Sequence, residues 1–185
     1  MKNKIEINFF LNGKYISVEA GLNETLAKML RRIGCKDVKI GCGEGDCGTC
    51  CVLMNGKSVN SCLVYAPSAD RCEIITVSGL GSISNPDPIQ TAYASSGAVQ
   101  CGYCIPGSII SAKNLLDRNP TPDEKEIKIS LSGNLCRCSG YYKQIEAVKL
   151  ASKIINFRSL ADKFDVICFD FDGVVVESSL IKTEA

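Results

Sequence analysis

Polar and apolar positions mix from the start of the chain, where Ile5, Asn8 and Phe10 sit in a strand-like opening. Asn12-Gly13 supplies the dipeptide preferred in two-residue hairpin turns, and Lys14 to Glu19 returns as a second strand. The period then changes. Leu26, Met29, Leu30 and Ile33 fall at i, i+3, i+4 and i+7, one face of a helix, with Asn23 as the expected N-cap and Gly34 placed to end it. A loop rich in Gly and Cys runs from Gly41 to Cys50. Beyond it come a strand at Cys51 to Met54, an Asn55-Gly56 turn, a short return strand and another strand at Glu73 to Val77. Residues 1 to about 80 thus read as β-rich around one helix.

After GLGSISNPDP the texture turns helical, with helices expected at about 88–98, 107–118, 122–132 and 140–156. Thr121-Pro122-Asp123-Glu124 has Thr at an N-cap, Pro at the first helical position and Glu three residues after the cap, a capping-box pattern. In the last helix Ala147, Leu150, Ala151 and Ile154 form a stripe that suits a small bundle. The order of elements makes this an α+β chain, divided at 1–80 and 81–157. In the tail of 158–185, Phe164, Val166, Ile167, Cys168 and Phe169 form an apolar run that ends in Asp170-Phe171-Asp172-Gly173.

The 185 residues carry 21 Lys and Arg against 20 Asp and Glu, a formal charge of +1, with no basic stripe to attract a phosphate backbone. No nucleic-acid partner is expected. No stretch of 18 apolar residues could span a bilayer, so no membrane contact of the chain's own is expected either. The opening MKNKIEINFFLNGKY does not read as a secretory signal, so the protein is expected to stay in the reducing cytoplasm. The sequence has no His, which excludes Cys2His2 fingers, Rieske sites, CXXCH haem attachment and Ser-His-Asp triads.

Twelve Cys under these conditions point to thiolates held by metal rather than to a disulfide scaffold. Cys42, Cys47, Cys50 and Cys62 are spaced CX4CX2CX11C, the ligand order of plant-type [2Fe-2S] sites. Such a loop wraps one cluster closely, and Gly41, Gly43, Gly45 and Gly48 provide the backbone freedom and the N–H groups to do so. A zinc site more often pairs its ligands as two CXXC knuckles. A second set, Cys101 and Cys104 in CX2C with Cys136 and Cys138 in CXC, lies at expected helix starts, where the macrodipole favours negative charge. Taken alone, this set leaves zinc open as an alternative. Cys35, Cys51, Cys72 and Cys168 have no matching partners and read as small buried hydrophobes, with Cys51 pointing away from the first set.

The segments KIGCGEGDCGTCCVLMNGKSVNSCL, AVQCGYCIPGSIISAKNLLDRNP and LSGNLCRCSGYYKQIEA resemble the small iron–sulfur subunit of the molybdenum hydroxylases, the xanthine dehydrogenase, aldehyde oxidoreductase and carbon monoxide dehydrogenase family. The likeness covers residues 3 to 156. It implies a β-grasp, ferredoxin-like domain followed by a four-helix [2Fe-2S]-binding domain. It also implies that Cys42, Cys47, Cys50 and Cys62 hold the cluster nearer a flavin, and that Cys101, Cys104, Cys136 and Cys138 hold the one nearer the molybdenum cofactor. Gln100 and Cys138 would then meet the pterin. Molybdopterin and FAD would sit on a large and a medium partner subunit, and this chain would conduct electrons between them with no catalytic residue of its own. CGEGDCGTC leans toward the purine or nicotinate dehydrogenase branch. A stand-alone ferredoxin-type carrier and a zinc-stabilised interaction module are the competing readings. In the tail, FDVICFDFDGVVVES resembles the first motif of the haloacid dehalogenase superfamily, which would make Asp170 a nucleophile and Asp172 an acid/base. The other motifs of that superfamily are missing, so a truncated fusion or a misread gene end is expected there.

Overall fold

The computed structural model describes residues 4–161, together with the backbone at 168–169 and 175–176. Strands β1 (Lys4–Leu11) and β2 (Lys14–Gly21) form the expected hairpin. Its turn works because Asn12 and Gly13 both take positive φ, 51° and 76°, the twist that matches two antiparallel strands. Asn55 and Gly56 repeat the device at 49° and 75° between β3 (Cys51–Met54) and β4 (Lys57–Asn60). Strand β5 (Glu73–Ile75) lies between the hairpins, parallel to β1 and antiparallel to β3, giving the order β2-β1-β5-β3-β4. Val77 is not part of that strand but begins a 3-10 turn, Val77–Gly79.

Helix α1 (Leu26–Arg32) is grasped by the sheet: its buried Leu26, Ala27, Met29 and Leu30 share one core with Ile7, Phe9, Leu11, Val52 and Ile74. Its cap is Thr25, not Asn23, with the Thr25 hydroxyl accepting from Lys28 N–H at 3.4 Å.

Four helices follow: α2 (Pro88–Ser95), α3 (Ile105–Arg118), α4 (Glu124–Leu131) and α5 (Tyr141–Ala161). They enclose a second core built on Ile89, Tyr93, Leu116, Ile127, Val148 and Ala151. The capping box of α4 is present but shifted: Asp123 and Glu126 form it, each side chain bonded to the other's backbone N–H. The reason is local. Asn119 Oδ1 accepts from Thr121 N–H at 3.1 Å, so Thr121 is spent in a turn and the helix begins later. A small third cluster, Cys51 and Leu53 of β3 with Ile110 of α3, joins the two cores. The tail's two short strands, β6 (Cys168–Phe169) and β7 (Val175–Val176), pair antiparallel, while Asp170 and Asp172 lie outside the described residues.

Candidate metal centres

The Gly41–Cys50 loop descends from α1 and ends where β3 enters the sheet, so its cysteines are anchored at one end by a strand. Gly43, Gly45 and Gly48 take positive φ, as expected, but Gly41 does not. Gly41 serves by its size instead: a Cβ there would stand 2.8 Å from Cys47 Sγ. Backbone N–H groups point at sulfur throughout the loop. Glu44 and Cys47 N–H donate to Cys42 Sγ at 3.4 Å each, and Cys42 N–H donates to Cys47 Sγ at 3.3 Å. Cys42 is exposed, and these donors hold its thiol down to about 6. Cys50 and Cys62 face each other on the inner side, where burial and the Cys50 neighbour push the Cys62 thiol up to about 12. The first set thus holds one sulfur at the surface that ionises readily and, in Cys62 beyond β4, one that burial keeps protonated until a metal displaces the proton.

The second set is assembled from two helix starts. Cys104 is the N-cap residue of α3, and its thiol makes no capping bond, which leaves it available. Cys136 and Cys138 occupy the turn before α5, stiffened by Ser139 at φ 58° and by Cys136 N–H donating to the Tyr141 hydroxyl at 2.9 Å. Gly140 N–H donates to Cys136 Sγ at 3.4 Å. Here the thiols pair across the sequence, Cys101 with Cys138 and Cys104 with Cys136. The Tyr103 N–H lowers the exposed Cys101 thiol, while burial first and then Cys136 push Cys104 up to about 11. Among the described residues no three such side chains gather around a single point. Both sets present thiols in twos, which fits a dinuclear cluster with two thiolates on each iron.

The two loops touch. The Thr49 hydroxyl, between Cys47 and Cys50, donates to the carbonyl of Tyr103, between Cys101 and Cys104, at 2.8 Å. The Tyr103 hydroxyl donates to the Ile40 carbonyl at 2.8 Å. Leu135 N–H, beside Cys136, donates to the Cys47 carbonyl at 3.0 Å, and the buried Asn134 amide donates to the Gly48 carbonyl at the same distance. Residues 9–73 match a model described as a 2Fe-2S iron-sulfur cluster binding domain, and residues 76–149 match a [2Fe-2S] binding domain. The nicotinate dehydrogenase small FeS subunit of Eubacterium barkeri is 47% identical over 150 residues, which span 80% of this chain and 96% of that subunit. The chain belongs to the small iron–sulfur subunits of the molybdenum hydroxylases.

As such a subunit it transfers electrons through two [2Fe-2S] clusters within an oxidoreductase. The small subunit of nicotine 6-hydroxylase from Paenarthrobacter nicotinovorans is 42% identical, covering 79% of this chain and 88% of that one. Among solved structures, quinoline 2-oxidoreductase from Pseudomonas putida 86 superposes with a TM-score of 0.80 at 34% identity, over 84% of the subunit and 98% of the matched chain. The family matches stop at residue 149, short of the tail. Among the described residues no helix is long and apolar enough to cross a membrane.

Of the cysteines read as bystanders, Cys51 is buried and its thiol donates to Asn60 Oδ1 at 3.0 Å, away from Cys50. Cys35 and Cys72 are only half-buried and pack at the margin of the first core. The side chain of Cys168 lies outside the described residues. Gln100 is exposed next to the second set, with its amide close to Gly140. The sequence reading missed Thr49, Tyr103, Asn134 and Gln144. Only Gln144 left a signal, a polar residue one turn before Ala147 and Val148 on the buried stripe of α5.

Proposed function

We propose that Cys42, Cys47, Cys50 and Cys62 hold one [2Fe-2S] cluster in a unit of residues 1–80, and that Cys101, Cys104, Cys136 and Cys138 hold the second in a unit of residues 81–157. The observation that carries this reading is the meeting of the thiols in twos, with the second set's pairs formed across 36 and 31 intervening residues. Bound there, the clusters accept and release single electrons. The chain's own residues do the rest. Gly41 leaves room beside Cys47, backbone N–H groups stabilise the charged sulfurs, and the Thr49–Tyr103 and Leu135–Cys47 bonds keep the two ligand loops in register.

In this reading Gln100 and Cys138 face the pterin of a molybdopterin-binding large subunit, and the Cys42 side faces an FAD-binding medium subunit or another acceptor. Exposed Val99, Tyr103, Leu135 and Tyr141 around the second set support it, since they supply an apolar rim for docking. The relatives named for nicotinate and nicotine support an N-heteroaromatic substrate for the partner enzyme. Cysteines kept as thiolates support assembly in the reducing cytoplasm.

Anaerobic expression followed by iron, sulfide and zinc analysis tests the assignment. About four iron and four sulfide per chain are expected, with two distinct EPR signals after dithionite reduction. Cys50→Ser and Cys136→Ser should each abolish one signal, and Cys51→Ser neither. Stoichiometric zinc with no EPR signal would overturn the reading.

A further inference from the structure

Gln144 is the one polar side chain on the buried face of α5, among Ala147, Val148 and Ala151, and it is only 1% exposed. An amide in such a place must be fully bonded or it destabilises the core. Its Nε2 donates to Cys104 Sγ at 3.5 Å, and its Oε1 accepts from the Ser108 hydroxyl at 3.0 Å. The Tyr93 hydroxyl lies 2.6 Å from Ser108 Oγ. Ser108 has a single hydroxyl proton, already committed to Gln144, so Tyr93 is the donor of that pair. Ser108 is fully buried and Tyr93 is 1% exposed, so no water competes for these bonds.

The chain therefore runs one way, from Tyr93 on α2 through Ser108 on α3 to Gln144 on α5, and it ends on sulfur. The amide orientation sets that direction. Turned over, Gln144 would aim a carbonyl oxygen at the Cys104 sulfur, which as a ligand thiolate has no proton to give. Among the described residues the first set has no counterpart: its sulfurs take hydrogen bonds from backbone N–H groups of their own loop.

We infer that Gln144 is a positioning residue that raises the reduction potential of the second centre above the value its four thiolates alone would set, with Ser108 and Tyr93 holding its N–H on Cys104. The inference rests on the proposal that Cys104 is a ligand. A donor to a ligand sulfur withdraws charge from it and so favours the more negative, reduced state. The first centre, with no contact to this relay, is left unchanged, so the relay changes the difference between the two.

The test is anaerobic potentiometric titration of the full chain, followed by EPR of both signals, for the parent, Gln144→Met, Ser108→Ala and Tyr93→Phe. Met keeps the bulk of Gln144 without its donor. Gln144→Met should retain iron and sulfide and shift the reduction equilibrium of the second centre about tenfold toward oxidised, 59 mV for one electron, with the first centre unmoved. Ser108→Ala and Tyr93→Phe should shift it in the same sense by less. Should Gln144→Met lose iron, the milder two variants decide. A second centre that titrates as in the parent in the iron-loaded variants, or both centres shifting together, would overturn the inference. A parent with only two iron atoms, or with zinc, would instead overturn the ligand assignment beneath it.

Discussion

Gly107 lies in the first turn of α3, with the backbone of Gly48 and Thr49 packed directly against it. In an isolated helix Gly→Ala is favourable by about 0.5–1 kcal/mol. Here the added methyl would be driven into the Gly48 carbonyl oxygen and would stand 2.8 Å from Thr49 Cα, where ordinary contact begins at 3.4 Å. The loop cannot retreat freely. The Gly48 carbonyl also accepts from the buried Asn134 amide at 3.0 Å and from Cys51 N–H at 3.2 Å. Overpacking costs about 1–3 kcal/mol, and a buried hydrogen bond lost in the adjustment about 1 kcal/mol more. The clash outweighs the helix gain, so Gly107→Ala should destabilise by about 2–3 kcal/mol. Denaturant titration of the cluster-loaded chain, followed by visible absorbance and by circular dichroism, reads this out. Gly133→Ala is the control: a Cβ there meets nothing within 4 Å, so its midpoint should match or exceed the parent's. Gly107→Ala at parental stability or above would refute the claim that bare backbone contact joins the two ligand loops.

Thr49→Val removes the hydroxyl that reaches Tyr103 while keeping the shape, and should cost about 1–2 kcal/mol in denaturant titration of the cluster-loaded chain because it leaves the Tyr103 carbonyl without that donor. Asp123→Ala removes the cap of α4 and should cost about 1 kcal/mol, whereas Thr121→Ala should cost less, measured by thermal or denaturant unfolding. The Arg32 hydrogen bond holds the Glu24 carboxyl below its ordinary 4.5, and Lys128 with Lys149 holds Glu124 down to about 2. Lowered carboxyls stabilise the fold above their unfolded value and lose that contribution as the pH falls through the folded one, so stability should decline from pH 4.5 toward 2. The double variant Glu24→Gln with Glu124→Gln should flatten that slope in denaturation measured across the same range.

Much of the molecule was written locally. Asn12-Gly13 and Asn55-Gly56 specify their hairpins because both residues of each turn tolerate positive φ, and this needs no information from elsewhere in the chain. The CX4CX2C spacing likewise carries its chemistry in nine residues, and the apolar period of 3.6 marked the helices to within a few positions. The missed caps at Asn23 and Thr121 show where local patterns compete: several residues in a row could cap, and Thr121 loses because the Asn119 turn has already engaged it.

Contacts between distant segments lay beyond any such pattern. The parallel pairing of β1 with β5, the partnering of Cys101 with Cys138 rather than with its neighbour Cys104, and the wedging of Gly48 between Gly107 and Gly133 all join residues tens of positions apart. Gln144 is the sharpest case. As a sequence symbol it is an ordinary polar residue on a helix. Only the packing of α2, α3 and α5 removes water from around it and leaves Cys104 and Ser108 as its partners. Spacing along a chain sets which groups can bind metal. Their order in space, and the hydrogen bonds that tune them, come from burial that only the folded chain creates.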